Sequence, residues 1–173
     1  RRLSNDEIVE YFDCGDEDLN DFVLHEARAY SIQKLAVTYV ISFANDINHV
    51  VAFCSMANDR ISISDFDSKT EFNRFRKHQH FPQEKRMKSY PAVKLCRLGV
   101  DINNKGEKLG SSLLNFIKYY FCTDNKTGCR FITVDAYIDA IPFYEKNGFV
   151  PLNSDDEDSQ YTRLLYFDLN DLS

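Results

Sequence analysis

The sequence predicts an α+β fold in which helices cover a mixed, mostly antiparallel sheet. Residues 35–43 and 49–57 are two runs rich in β-branched and aromatic side chains, and a polar connection of hairpin length separates them. Residues 17–32 carry apolar side chains at helical spacing, with acidic residues in the first turn. A strand, a helix and a second strand follow one another over 92–137, which predicts a parallel pair joined by a crossover helix.

Length and composition predict a single domain that spans residues 1–173. The chain has 173 residues, of which 43% are apolar, and this is enough to bury one core. It has no internal repeat and no linker rich in proline or glycine. No run approaches the ~18 apolar residues of a membrane span, and the first residues lack the apolar stretch of a secretory signal. We therefore expect a cytoplasmic protein with no membrane partner.

The cysteines and histidines predict neither a disulfide framework nor a metal site. The five cysteines are scattered and lack CxxC spacing, which is typical of reduced, mostly buried thiols. Cys96 lies on a predicted strand, and we expect a small core residue there because no histidine is placed beside it to activate a nucleophile. His78 and His80 are two positions apart and point in different directions on a helix.

Local patterns predict the remaining elements of the first half. Residues Ile8 to Phe12 indicate a short strand, and 69–79 indicate a basic helix. A strand over 92–101 has no purely apolar face. One side of that strand carries Val93, Leu95, Arg97 and Gly99.

The second half is predicted to contain two helices and three strands. The helix after NNKGEK has an apolar stripe of Leu109, Leu113, Phe116, Ile117 and Tyr120. Residues 129–137 indicate a strand. In the helix that follows, Asp139 is the predicted N-cap and Gly148 the predicted stop. Strands at about 148–152 and 161–168 complete the sheet.

Charge is distributed unevenly along the chain. The net charge of −6 argues against a uniformly basic surface that binds nucleic acid. Residues 69–88 nevertheless hold seven Lys or Arg against two Glu, with phenylalanines between them, whereas 155–158 is an acidic loop. A solvated helix face is the simpler interpretation of the basic segment, and a contact with a phosphate backbone is the alternative.

The loop KGEKLGSSLL, residues 105–114, lies between a predicted strand and the crossover helix. In a parallel pair, the N–H groups that open such a helix lie at the carboxyl end of the strand, where phosphates are received. This position predicts a phosphate-binding loop over 105–112.

Two stretches together resemble the GNAT superfamily of N-acetyltransferases. RLGVDINNKGEKLGSSLL is similar to the family's strand and pyrophosphate loop, and TVDAYIDAIPFYEKNGF is similar to its second signature. The resemblance implies a three-layer α/β/α fold and the transfer of an acetyl group from acetyl-CoA to a primary amine, without a metal. The second signature's positions are Ala136, Ala140, Phe143, Tyr144, Gly148 and Phe149.

The resemblance also implies the residues that bind acetyl-CoA. Lys105 stands where the family has Gln or Arg, and Gly110 stands where it has Gly or Ala. Lys108 replaces a family glycine, and if that position needs a positive φ, the lysine costs about 1–2 kcal/mol of strain. The main chain of Leu98 and Val100 would pair with the pantetheine arm. The implied cofactor-binding residues are Leu98, Gly99, Val100, Lys105, Gly106, Lys108, Leu109, Gly110 and Ser111.

The implied chemistry is direct attack of the amine on the thioester in a ternary complex. The Val100 N–H is expected to polarise the carbonyl, and the Tyr144 hydroxyl to give a proton to the leaving thiolate. A core tyrosine with a satisfied hydroxyl is the alternative for Tyr144. No general base is identified, because cap or turn roles account for Asp101, Asp135 and Asp139.

The acceptor amine is left open. FDCGDEDLNDFVLHEA followed by LAVTYVISF resembles the toxin-like branch of the superfamily, in which some members acetylate the amino acid of charged tRNA and are paired with an antitoxin. Three hypotheses follow: an acetyltransferase acting on a small-molecule or protein amine, a tRNA-acetylating toxin, and a CoA-binding module without turnover. A homodimer is compatible with each. For the toxin, the implied tRNA contacts are Arg74, Arg76, Lys77, Lys85, Arg86 and Lys88.

Overall fold

The computed structural model describes residues 1–81, 87–123, 125, 127–153 and 161–172. The strands are β1 (Val37–Phe43), β2 (Asp46–Ser62), β3 (Ser89–Val100), β4 (Phe131–Tyr137), β5 (Val150–Pro151) and β6 (Thr162–Asp168). The helices are α1 (Glu17–Asp21), α2 (Ala27–Ile32), α3 (Lys69–His78), α4 (Leu109–Thr123) and α5 (Ile141–Lys146). A π-helical turn, Phe22–Glu26, joins α1 to α2, and 3₁₀ turns lie at Ile63–Asp65, Ile102–Asn104, Ile138–Ala140 and Leu169–Leu172.

The strands form one six-stranded sheet in the order β1-β2-β3-β4-β6-β5, and this confirms the predicted α+β fold. β1 pairs with β2, β4 with β6 and β5 with β6, all antiparallel. The start of β3 runs parallel to β4, because the Arg130 N–H donates to the Pro91 carbonyl over 3.0 Å and the Thr133 hydroxyl donates to the Val93 carbonyl over 3.5 Å. The sheet is therefore mixed and mostly antiparallel, as predicted.

The chain divides into two compact units, each with an apolar core of its own. Unit 1 comprises Arg1–Asn58 and Lys94–Asp124, and unit 2 comprises Asp59–Val93 and Asn125–Ser173. The core of unit 1 contains Val9, Phe12, Phe22, Val40 and Phe53. The core of unit 2 contains Ile61, Phe72, Phe75, Tyr90 and Phe131. The single domain over residues 1–173 stays a prediction.

The helix predicted over 17–32 is confirmed, with a π-helical turn in its middle. Asp16 caps α1 by accepting a hydrogen bond from the Leu19 N–H over 3.1 Å. At the π turn, Phe22 packs against Phe53, and the Arg97 guanidinium lies 3.9 Å from the centre of the Phe22 ring. The arginine on the core side of β3 is thus held by a cation–π contact.

The strand predicted at Ile8 to Phe12 is wrong. The isolated bridge in this region joins Arg2 to Tyr39 instead, and no strand is assigned to residues 8–12. Val9 and Phe12 are buried, whereas Ile8 and Tyr11 are 68% and 58% exposed. The apolar residues therefore enter the core of unit 1 without pairing their backbone.

Three smaller predictions about side chains are also wrong. Asp139 lies in the 3₁₀ turn before α5 and caps nothing, because the N-cap residue is Ala140. Cys96 is exposed, although Cys14, Cys54 and Cys129 are buried as expected. The buried residues of α4 include Leu114, which was not expected on the apolar stripe. Phe116 and Tyr120, which were expected on it, are 39% and 38% exposed and contact the Tyr39 ring.

Candidate active site

The end of β3 passes directly over two aromatic rings of unit 1, and Gly99 allows this approach. A Cβ placed on Gly99 would lie 2.8 Å from Phe53 Cε1 and 3.3 Å from the Phe12 ring. The rings themselves meet edge to face, with 5.2 Å between their centroids. Any larger residue would displace the strand or the rings, so Gly99 fixes the height of the strand end above the core.

A buried carboxylate holds the turn that follows β3. Asp101 is 1% exposed and accepts hydrogen bonds from the Asn103 N–H over 2.9 Å, from Asn103 Nδ2 over 3.0 Å and from the Asp13 N–H over 3.3 Å. Its own N–H donates to the Val51 carbonyl over 2.9 Å. The expected turn or cap role of Asp101 is confirmed, because its carboxylate orients three donors.

A second turn, at residues 13–16, lies beside the predicted phosphate loop. The Asp13 carboxylate accepts from the Gly15 N–H over 2.8 Å and from Asn20 Nδ2 over 3.0 Å. These hydrogen bonds lower the pKa of Asp13, with a smaller contribution from the charge of Lys105. A Cβ placed on Gly15 would lie 3.7 Å from Lys105 Nζ, so the ammonium group of Lys105 lies against this turn.

The loop itself adopts the backbone conformation that glycine favours. φ is +94° at Gly106 and +60° at Lys108. The Ser112 N–H donates to the Lys108 carbonyl over 3.0 Å, which makes Lys108 the residue that opens α4. The N–H groups of the first turn of a helix have no acceptor within that helix, so those of Leu109, Gly110 and Ser111 are available to an anion.

Tyr144 is held in the core of unit 2 at the end of α5. It is 8% exposed, and its ring meets Phe143 and Phe149 edge to face at 5.1 and 5.6 Å. Its carbonyl accepts from the N–H groups of Asn147 and Phe149 over 3.0 and 3.1 Å. Gly148, with φ of +81°, ends the helix as predicted. The backbone and ring are therefore fixed, and the catalytic role of the hydroxyl stays a prediction.

The structure distributes the predicted site residues over both units. All nine predicted cofactor-binding residues belong to unit 1, where they form the end of β3, the loop and the first turn of α4. Of the predicted catalytic pair, Val100 belongs to unit 1 and Tyr144 to unit 2. The sequence interpretation missed the support that Asp13 and Asn20 give to this region. The turn-forming sequence Asp13-Cys14-Gly15 was the available signal.

Two classes of site find no candidate among the described residues. In that part of the chain, no three His, Cys, Asp or Glu side chains are grouped so that they can hold a metal ion. No described helix has the length and apolarity needed to cross a membrane.

Residues 83–163 match the family model of the acetyltransferase (GNAT) domain. Over these residues the chain is similar to a GNAT acetyltransferase domain. The matched segment contains both stretches on which the resemblance depends, including the strand end at Leu98, the loop at Lys108 and Tyr144. The predicted enzyme class, an N-acetyltransferase, is confirmed by this match. No curated protein sequence matches the chain significantly.

Solved structures of toxins share the fold over nearly the whole chain. AtaT complexed with acetyl-methionyl-tRNAfMet is 22% identical, with a TM-score of 0.79 over 99% of this chain and 95% of that one. A tyrosine-to-phenylalanine variant of KacT is 19% identical, with the same TM-score and coverage. AtaTR bound with acetyl-CoA is 21% identical, with a TM-score of 0.76 over 99% of this chain and 93% of that one. At these identities the likeness establishes the fold.

Proposed function

We propose that this protein transfers the acetyl group of acetyl-CoA to the primary amine of an amino acid carried by tRNA. The observation that carries the cofactor assignment is the backbone at Lys108. Its φ of +60° lies in the left-handed region that glycine adopts at little cost, at a position where the family has a glycine. A chain accepts such strain where the turn itself is needed, and this turn presents three helix-opening N–H groups.

The proposed reaction needs few groups. The amine nitrogen attacks the thioester carbonyl carbon, and the Val100 N–H donates a hydrogen bond to the oxygen as it becomes negative. The C–S bond then breaks, and Tyr144 gives its hydroxyl proton to the thiolate of CoA. The proton lost by the amine passes to solvent, which returns one to Tyr144. Binding both substrates in one complex supplies the proximity on which the rate depends.

The tRNA acceptor is supported by the exposed face of α3. Lys69, Arg74 and Lys77 are exposed on this helix, as is Lys88 before β3. Arg76 is engaged within unit 2, because its Nε donates to the Tyr90 hydroxyl over 3.0 Å and its Nη1 to Asn73 Oδ1 over 3.3 Å. Of the other predicted contacts, Lys85 and Arg86 lie outside the described residues, as does the acidic loop 155–158. The AtaT complex with an acetylated aminoacyl-tRNA adds support from a similar fold.

A small-molecule or protein amine is the second candidate acceptor. The salt dependence of binding distinguishes the two acceptors, because contacts with a phosphate backbone weaken as salt rises. Wild-type protein is incubated with labelled acetyl-CoA and either aminoacyl-tRNA or a panel of free amines. We expect acetylation of the aminoacyl group, with a tRNA affinity that falls steeply between low and physiological salt. Reversing the charges of Lys69, Arg74 and Lys77 together is expected to abolish that dependence. Salt-independent affinity, or turnover of free amines alone, would reject the tRNA acceptor.

Cofactor binding is tested first, by calorimetric titration of the folded, CoA-free protein with acetyl-CoA and dephospho-CoA. We expect binding of acetyl-CoA by wild-type protein and by the Lys108→Gly variant. No binding by either protein would overturn the proposal. Binding without turnover of any amine would favour the CoA-binding module.

The proposal includes a cytoplasmic protein with an antitoxin partner and a homodimeric state. The structure of AtaT bound to the C-terminus of the antitoxin AtaR supports the antitoxin partner, because AtaT has a similar fold. Light scattering of the purified chain, alone and with a candidate antitoxin, measures both associations.

A further inference from the structure

The turn at residues 13–16 is attached to the entrance of the predicted phosphate-binding loop, and both lie in unit 1. The Asp13 N–H donates to Asp101 Oδ2 over 3.3 Å, and the Asp13 carbonyl accepts from the Ile102 N–H over 2.8 Å. Both partners lie just before the loop, which begins at Lys105. The backbone of the turn is therefore held in a defined position beside the loop.

Side chains of the same segment fix the shape of this turn. Asp13 Oδ1 accepts from the Gly15 N–H over 2.8 Å and from Asn20 Nδ2 over 3.0 Å. Asn20 Oδ1 accepts from the Cys14 N–H over 2.9 Å. These hydrogen bonds are typical of turns closed by Asp and Asn side chains. The position of Gly15 is therefore set by side chains as well as by the backbone.

Gly15 leaves a space above the turn, and the Lys105 side chain lies at that space. Gly15 is exposed, and a Cβ placed on it would lie 3.7 Å from Lys105 Nζ and 3.6 Å from Ile102 Cγ2. A methyl group at this position would only touch the ammonium group, whereas a longer side chain would compete with it for the same space. The absence of a side chain at Gly15 therefore allows Lys105 to pack over the turn.

An ammonium group held in this way is well suited to bind an anion. A lysine side chain loses rotamer freedom when it binds a phosphate, and a lysine that is already held loses less. Packing over a glycine needs no hydrogen bond, so the N–H donors of the ammonium group remain for a phosphate. Lys105 also directly precedes the loop whose backbone is proposed to receive the phosphates of acetyl-CoA.

We propose that Gly15 is a positioning residue of the cofactor site, because the turn fixed by Asp13 holds Lys105 so that its ammonium group binds a phosphate of acetyl-CoA. The inference rests on the proposed function and adds to it a role for the segment around Cys14 and Gly15. The glycine supplies the space, the aspartate fixes the turn, and the lysine contacts the phosphate.

The test compares acetyl-CoA binding, measured by calorimetry on the full chain, in Gly15→Asn, Lys105→Met and the double variant. Asparagine tolerates positive φ, and φ at Gly15 is +83°, so this substitution fills the space with little added strain. We expect each single substitution to weaken binding at least about fivefold. In the Lys105→Met background, Gly15→Asn is expected to change the affinity less than about twofold, since its effect acts through the lysine.

Gly128→Asn is the matched control. φ at Gly128 is +73°, and a Cβ placed there would meet nothing within 4 Å, so the same substitution displaces no side chain. We expect its affinity for acetyl-CoA to stay within about twofold of wild type. Urea unfolding checks that both asparagine variants are folded. With dephospho-CoA, an equal effect of Lys105→Met would assign the ammonium group to the pyrophosphate, and a smaller effect would assign it to the 3′-phosphate.

An equal effect of Gly15→Asn with and without Lys105 would overturn the inference, because the turn would then act on the loop by another route. Unchanged binding in Gly15→Asn, or an equal loss in Gly128→Asn, would overturn it as well. Binding of acetyl-CoA by wild-type protein without this coupling would leave the proposed function standing and reject only the positioning role. Absence of binding by wild-type protein would reject both.

Discussion

Lys108 holds a backbone conformation that glycine adopts at little cost. The resemblance to the family implies a glycine at this position, where the chain has a lysine. Backbone strain was therefore predicted if φ at Lys108 is positive. The value of +60° meets that condition. No such backbone strain is proposed at the other site residues. The roles of Leu98 and Val100 depend on their main-chain groups, and that of Tyr144 depends on its hydroxyl.

Replacing Lys108 by glycine is expected to stabilise the protein by at most about 1 kcal/mol, since relief of left-handed strain exceeds the added freedom of the unfolded chain. Urea unfolding measures the change. Lys108→Ala is the matched control, because it removes the charge and keeps the strain. A glycine variant less stable than the alanine variant would contradict the strain argument. Gly106→Ala, at φ of +94°, is expected to be destabilising.

Replacing Tyr144 by phenylalanine is expected to lower kcat at least about 100-fold while the affinity for acetyl-CoA stays unchanged. The aromatic contacts to Phe143 and Phe149 do not require the hydroxyl, so the fold is retained. Single-turnover kinetics and calorimetry measure the two quantities. An unchanged kcat would show that the Tyr144 hydroxyl is not the proton donor and that the residue has only a structural role.

At the scale of elements, two turns of unit 1 support the predicted loop. The turn at residues 13–16 opens α1, and the turn after Val100 leads to the predicted phosphate-binding loop. Asp101 joins them, because its carboxylate accepts from the N–H groups of both Asp13 and Asn103. The Ile102 N–H also donates to the Asp13 carbonyl over 2.8 Å. The position of the loop therefore depends on an element more than eighty residues earlier in the chain.

Replacing Asp101 by alanine is expected to destabilise the protein by about 1–3 kcal/mol, because buried donors lose their acceptor. Hydrogen exchange is expected to accelerate at residues 101–108 beyond the global change. Asp139→Ala is the matched control, since that aspartate is exposed and caps no helix, and its effect should lie within about 0.5 kcal/mol. Equal effects of the two substitutions would show that Asp101 is not a structural support.

At the scale of the whole molecule, three buried acidic groups are expected to lower the stability at alkaline pH. Burial raises the pKa of the Cys54 thiol to about 12 and that of Cys129 to about 11. Burial, with the neighbouring Tyr120, raises the pKa of Tyr39 to about 12. The two thiols belong to different units, so both cores contain a group that resists ionisation.

We expect the free energy of unfolding to fall between about pH 9 and pH 12. The folded state keeps these protons above the pH at which the unfolded chain releases them, so ionisation favours the unfolded chain throughout that window. Urea unfolding from pH 7 to pH 11 measures the slope. Cys54→Ala is expected to be less stable at neutral pH and to show a shallower slope. An unchanged pH dependence of the free energy of unfolding in this variant would show that groups other than Cys54 cause the loss of stability at alkaline pH.

The sequence alone determined the fold class, most elements and the enzyme family. Periodicity was sufficient for the helix over 17–32, because a face buried against a core repeats in the sequence. It was insufficient at residues 8–12, where side chains enter the core without backbone pairing, and at Asp139, which lies in the 3₁₀ turn before α5, where Ala140 is the N-cap residue.

The tertiary structure determined which side chains are buried or exposed and which distant residues they contact. Gly99 is required by rings from two distant segments, Cys96 is exposed although its strand is central, and Arg76 is bound to Tyr90 rather than free on a basic surface. None of these follows from spacing along the chain, because each depends on which distant element packs against the residue. The sequence determines patterns that repeat locally, and the tertiary structure determines the partners that each side chain meets.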